Sequence, residues 1–87
     1  AKTQQQIIAT AKAVDGVKGI HGLRTREAGP TRFIQLHIEL DNQLSLLKAH
    51  AIADGVEAEL MKAFPAADII VHMDPEIVAR VEGSMTQ

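Results

Sequence analysis

The sequence predicts an α+β domain with the element order α-β-β-α-β, folded as a two-layer sandwich. Three observations carry that prediction. Two stretches place apolar residues at helical spacing, two runs alternate with a period of two while a third mixes β-branched and basic types, and the breaks between them hold turn-forming residues. Alternating strands need one covered side each, so a three-stranded sheet with both helices on one face is the simplest layer solution.

The first helix is expected over Thr3 to Val14, where Ile7, Ile8, Ala11 and Val14 form the apolar stripe and Asp15-Gly16 ends it. A strand follows from Val17 to Arg26, then turn chemistry at Ala28-Gly29-Pro30, then a second strand from Thr31. In that strand Ile34, Leu36, Ile38 and Leu40 alternate with Phe33, Gln35, His37 and Glu39, which puts His37 on the polar face. Asp41-Asn42 breaks it. The second helix is expected from Leu44 to Phe64, with Ala49, Ile52, Val56, Leu60 and Ala63 as its stripe and Pro65 as its stop. The last strand, Asp68 to Asp74, sets Ile69, Val71 and Met73 against Ile70, His72 and Asp74. Beyond Pro75 a loosely ordered tail is expected, in which Ile77, Val78 and Val81 add at most a short turn. One conflict stands within the hairpin. Pairing His21 with His37 centres the turn on Gly29 but sends Leu23 to the polar face, so either a bulge near the turn or a strand that starts after His21 is required.

Composition narrows the function. Eighty-seven residues make one domain of modest core, the size at which a partner or a metal commonly supplements burial. A net charge of −2, two phenylalanines and no Trp or Tyr supply neither the basic field nor the stacking rings of a nucleic-acid binder. No run is apolar enough to insert in a bilayer and no signal peptide is visible, so a soluble piece is expected. With no cysteine, any metal must be held by His, Asp or Glu. No Ser-His-Asp or paired-carboxylate arrangement supports catalysis, and the expectation is a non-enzymatic chain.

All four histidines lie off the apolar stripes. His72 and Asp74, two apart on one strand, point the same way and offer a nitrogen and an oxygen donor suited to zinc. His21 and His37 flank the turn and would meet across it. His50 and Asp54 share an outward helix face one turn apart, which is equally the pattern of a solvated helix. Arg24, Arg26 and Arg32 are read as surface residues paired with Glu27, Glu39 and neighbouring carboxylates. Glu39 and Asp54 are candidates for orienting ligand imidazoles.

The runs His21-Gly22-Leu23-Arg24-Thr25-Arg26, Gly29, Phe33 and His37-Ile38-Glu39 carry a resemblance, joined by Ala49-His50-Ala51-Ile52-Ala53-Asp54 with Val56-Glu57 and by Asp68 through Pro75. Together they resemble the C-terminal cytoplasmic domain of cation diffusion facilitator transporters. That resemblance implies a metallochaperone-like (ferredoxin-like) fold over residues 1–87, a homodimer, and a two-zinc cluster at the dimer interface. It maps the ligands onto His21, His37, His72 and Asp74 of one protomer and His50 of the other. Ferrous iron, manganese and cadmium are the alternative metals. Two tetrahedral zincs need eight ligand positions, and these side chains with Asp74 bridging give six, so about two waters complete the set. The membrane helices of such transporters are not in this sequence. The resemblance therefore implies a regulatory and dimerisation domain on the cytoplasmic side of a bacterial inner membrane, attached to a transmembrane domain of the same polypeptide. Two rivals are a free-standing metal carrier or sensor of the same fold and a metal-independent oligomerisation module.

Overall fold

In the computed structural model, which describes residues 2–76, five elements follow one another as α1 (Lys2–Lys12), β1 (Gly19–Ala28), β2 (Thr31–Leu40), α2 (Leu46–Ala63) and β3 (Asp68–Pro75). The order is the expected one, and the result is an α+β fold in two layers. The strands lie β1-β2-β3, with β1 antiparallel and β3 parallel to the central β2. A parallel return needs a crossover, and α2 supplies it.

The alternation in β2 sorts as its pattern demands. Ile34, Leu36, Ile38 and Leu40 are buried beneath the helices, where they meet Ile7 and Ala11 of α1 and Ala53, Val56 and Leu60 of α2. Their β2 neighbours Phe33, Gln35, His37 and Glu39 occupy the other face, which no described element covers. Ser45 caps α2 by accepting a hydrogen bond from the Lys48 amide at 3.1 Å.

Several boundaries and faces differ from expectation. The regular part of α1 ends at Lys12, because the Val14 amide turns back to the Ala11 carbonyl in a tighter turn. Ile8 sits on the open side of that helix while Val14 still packs on the core. On α2 the buried stripe runs through Ala53, not Ala63, which is the exposed last residue of the helix. The tail positions Ile77, Val78 and Val81 lie outside the described residues.

β1 starts at Gly19 and continues to Ala28, later at both ends than expected. Its conflict over Leu23 is resolved by a bulge, placed well away from the turn. His21 pairs with His37, the register then shifts, and Arg24 pairs with Gln35. The inserted residue returns Leu23 to the core side, where it packs on the buried cluster. Gly22 makes the bulge possible. Its φ of +64° belongs to the left-handed region, and a Cβ there would stand 2.9 Å from His37 Cδ2. At the hairpin tip Gly29 (φ +61°) precedes Pro30 between the paired Ala28 and Thr31, the arrangement of a two-residue turn with glycine first.

The two glycines permit a controlled test. Nothing lies within 4 Å of a Cβ at Gly29, so Gly29→Ala carries only the backbone cost, roughly 1–2 kcal/mol. Gly22→Ala carries the same cost and also forces the His37 ring aside. Urea unfolding should show Gly22→Ala to be the more destabilised, and metal affinity should fall in Gly22→Ala alone.

Candidate metal centre

The register lays the uncovered face out in rows. Gly19, Glu39 and Asp74 form one row and His21, His37 and His72 the next. Residues level with one another on adjacent strands project from the same face, so three imidazoles stand side by side without any loop to place them. Their rings stack in a column: His21 and His37 are 4.9 Å apart between centroids, His37 and His72 4.6 Å, each pair tilted by 17°.

Asp74 reaches back across this column. Its Oδ2 lies 3.0 Å from His37 Nδ1 and 3.1 Å from His21 Nε2. The donor atoms of His21, His37 and Asp74 all fall within 4.8 Å of one another. A tetrahedral zinc with bonds of about 2.0–2.2 Å sets its ligand atoms roughly 3.3 Å apart, so this set closes on such an ion without backbone movement.

The chemistry of the donors fits a cation independently of the distances. Glu39 Oε2 accepts from His21 Nδ1 at 3.0 Å, which fixes the proton of a neutral ring on that nitrogen. Nε2 then carries the lone pair, and it faces a carboxylate oxygen. Two electron-rich atoms at 3.1 Å repel unless a cation, either a proton or a metal ion, lies between them. Gly19, opposite Glu39, leaves room for this arrangement, since a Cβ there would meet the Glu39 carboxylate at 3.1 Å. The orienting role expected for Glu39 thus has a geometry, whereas Asp54 stands 3.6 Å from His50, an exposed ion-pair distance.

The five expected ligands are distributed unevenly. His21, His37 and Asp74 converge. His72 stacks on His37 but lies outside the converging set, and it is exposed. His50 stays apart on α2, in the helix layer, with Asp54 beside it. The arginines follow their expected pairing only in part: Arg32 meets Glu27 at 3.3 Å as expected, but Glu39 serves His21 instead of an arginine. Arg26 lies over the Phe33 ring at 4.9 Å.

Comparison with known proteins places this architecture. A family described as the cytoplasmic domain of cation efflux proteins matches residues 1–76. The cation-efflux pump FieF of Klebsiella pneumoniae (strain 342) is 49% identical over 75 residues, which is 86% of this chain and 25% of that protein. The chain thus spans about a quarter of the length of the curated relatives it matches. Among solved structures, a MamM CTD variant superposes with a TM-score of 0.81 at 26% identity, covering 86% of this chain and 95% of the other. A nickel form of another MamM CTD variant gives 0.81 at 25% identity, with 86% and 96% covered.

The centre's two carboxylates should separate by titration. Asp74→Ala removes the atom shared by both imidazoles and should abolish tight zinc binding. Glu39→Gln keeps every ligand but loosens His21, and should weaken zinc about 10–100-fold. Unchanged zinc affinity in both variants would place the ion elsewhere, and far-ultraviolet circular dichroism checks that both remain folded.

Proposed function

We propose a function from one established premise: the chain belongs to the cation efflux protein family, as its cytoplasmic domain. On that premise it is a metal-binding regulatory and dimerisation domain, and its own metal is zinc. The observation that carries this reading is the single Asp74 oxygen held at 3.0 and 3.1 Å from two imidazole nitrogens of different strands. Among the described residues three protein ligands converge at such a site and leave positions open, which suits an exchangeable ion better than a permanently closed structural one. Imidazole and carboxylate donors accept zinc readily, and ferrous iron, manganese and cadmium compete according to supply.

The full cluster in this proposal holds two metals at the interface of a homodimer. His21, His37, His72 and Asp74 come from one protomer, and His50 comes from its partner. Three features support the assignment. His72 stands beside the converging set with its ring exposed, ready for a second ion. His50 is exposed and belongs to the layer opposite the uncovered sheet face, so a neighbour is its natural route to such a site. Leu46 and Leu47, 79% and 82% exposed one turn before His50, offer apolar area for a second copy to cover.

In the whole protein the domain would hang from a transmembrane domain of the same polypeptide, in a bacterial inner membrane. No helix among the described residues is long and apolar enough to cross a membrane. Metal would change how the two protomers are held and so bias the attached membrane domain.

Titrating metal-free protein with zinc while following heat and molecular mass tests this directly. Zinc should tighten the dimer, and at a hundredfold excess over its dissociation constant should stabilise folding by about 2.7 kcal/mol per site. A monomer at tens of micromolar with and without zinc would refute the dimeric reading. Protons compete for imidazole, so affinity should fall between about pH 7.5 and about pH 5.5. The trans role of His50 needs a mixing experiment. Chains bearing His50→Ala combined with chains bearing Asp74→Ala form heterodimers in which one composite site has both defects and the other neither. In the isolated heterodimer about half of the tight zinc binding should return; if none does, His50 serves no partner site.

A further inference from the structure

The uncovered face continues past the histidine row into a region of different chemistry. Arg24, Gln35 and Ile70 form the next row, and Arg26, Phe33 and Asp68 the one after it. These residues line a cleft of about 430 Å³. Among the described residues neither Arg24 nor Arg26 makes an ion pair with a carboxylate. Arg26 is nonetheless fixed in place, its guanidinium lying 4.9 Å from the centroid of Phe33. Asp68 closes the far end of the cleft, so the uncompensated positive charge sits toward the histidines.

We propose that this cleft binds a small dicarboxylate, one end gripped by Arg24 and Arg26 and the other laid over the histidine row. The fork of a guanidinium matches a carboxylate bidentately, and Gln35 adds an amide donor in the same row as Arg24. Phe33 and Ile70 give an apolar floor for a short methylene chain. Two residues along a strand separate the rows by roughly 7 Å, a gap that a succinate-sized molecule bridges. The far carboxylate then lies where the metal centre of the proposed function has open positions, so this half of the inference rests on that reading. An anion shared between a guanidinium and a metal ion binds better when both are present, and the same coupling makes the ion bind better when the anion is present.

Calorimetric titration of succinate, with acetate as the one-ended control, into metal-free and zinc-saturated protein decides it. Succinate should bind the metal-free wild type more tightly than acetate does, and Arg24→Gln should weaken it about 10-fold or more. Zinc should raise succinate affinity by about 5–150-fold. Equal succinate affinity in wild type, Arg24→Gln and Arg26→Gln, or equal affinity with and without zinc in protein that binds zinc, overturns the proposal. Absence of zinc heat before any anion is added sinks the metal reading instead, and the metal-free arm alone then decides whether the arginines hold the diacid. Light scattering on the same samples guards against one further source of carboxylate. A fall in molecular mass on adding succinate would mean that acidic side chains of a second copy fill the cleft, and would overturn the small-ligand assignment.

Discussion

A strand paired on both sides, with one face buried, cannot slip by a single residue without exchanging its faces. That constraint on β2 governs the molecule. Ile34, Leu36, Ile38 and Leu40 must point to the helices, so His37 must point away from them. β1 and β3 are then locked to β2 by their own ladders, and the positions of His21, His72 and Asp74 follow. The candidate metal centre is therefore specified by apolar residues that lie outside it. Repacking the core by one register step would dismantle the centre as surely as removing a ligand.

Most of this was legible in the sequence because period two is a strong signal when one face is dry. The β2 alternation and the helix stop at Pro65 both come from local pattern, whereas the register of β1 against β2 does not. What local pattern left open was decided by tertiary packing. Of the two ways to keep Leu23 off the histidine face, the fold takes an extra residue in the strand, at Gly22, where a left-handed conformation and a crowded imidazole coincide. Ala63 and Ala53 are interchangeable on a helical wheel drawn without a sheet beneath it. Burial distinguishes them, Ala53 lying in the core cluster and Ala63 exposed, and no spacing rule contains that information.

The candidate site shows the same division. Strand parity put His72 and Asp74 on one face, but it could not say that Asp74 would bend back past its own row to touch His37 and His21. Nor could it choose among the partners of Glu39, because an arginine and a histidine were both within plausible reach. The choice rests on Gly19: without a side chain opposite, the Glu39 carboxylate lies across β1 toward His21. One residue without a side chain thereby sets which nitrogen of its neighbour's ring can bind an ion.

His37 and Asp74 are 37 residues apart in sequence, and all of α2 lies between them. An ion held by both would act as a clasp on that loop, in the manner of a reversible crosslink. Clasping a long loop removes conformations chiefly from the open chain, so its benefit falls on whatever would otherwise peel away first. The strand such a clasp would hold is β3, one of the two edge strands of the described sheet. The ion would thus guard the seam between hairpin and crossover, and the clasped loop would carry α2, with His50, as a single piece. A tug on that helix would be felt at the seam, and loosening the seam would slacken the helix.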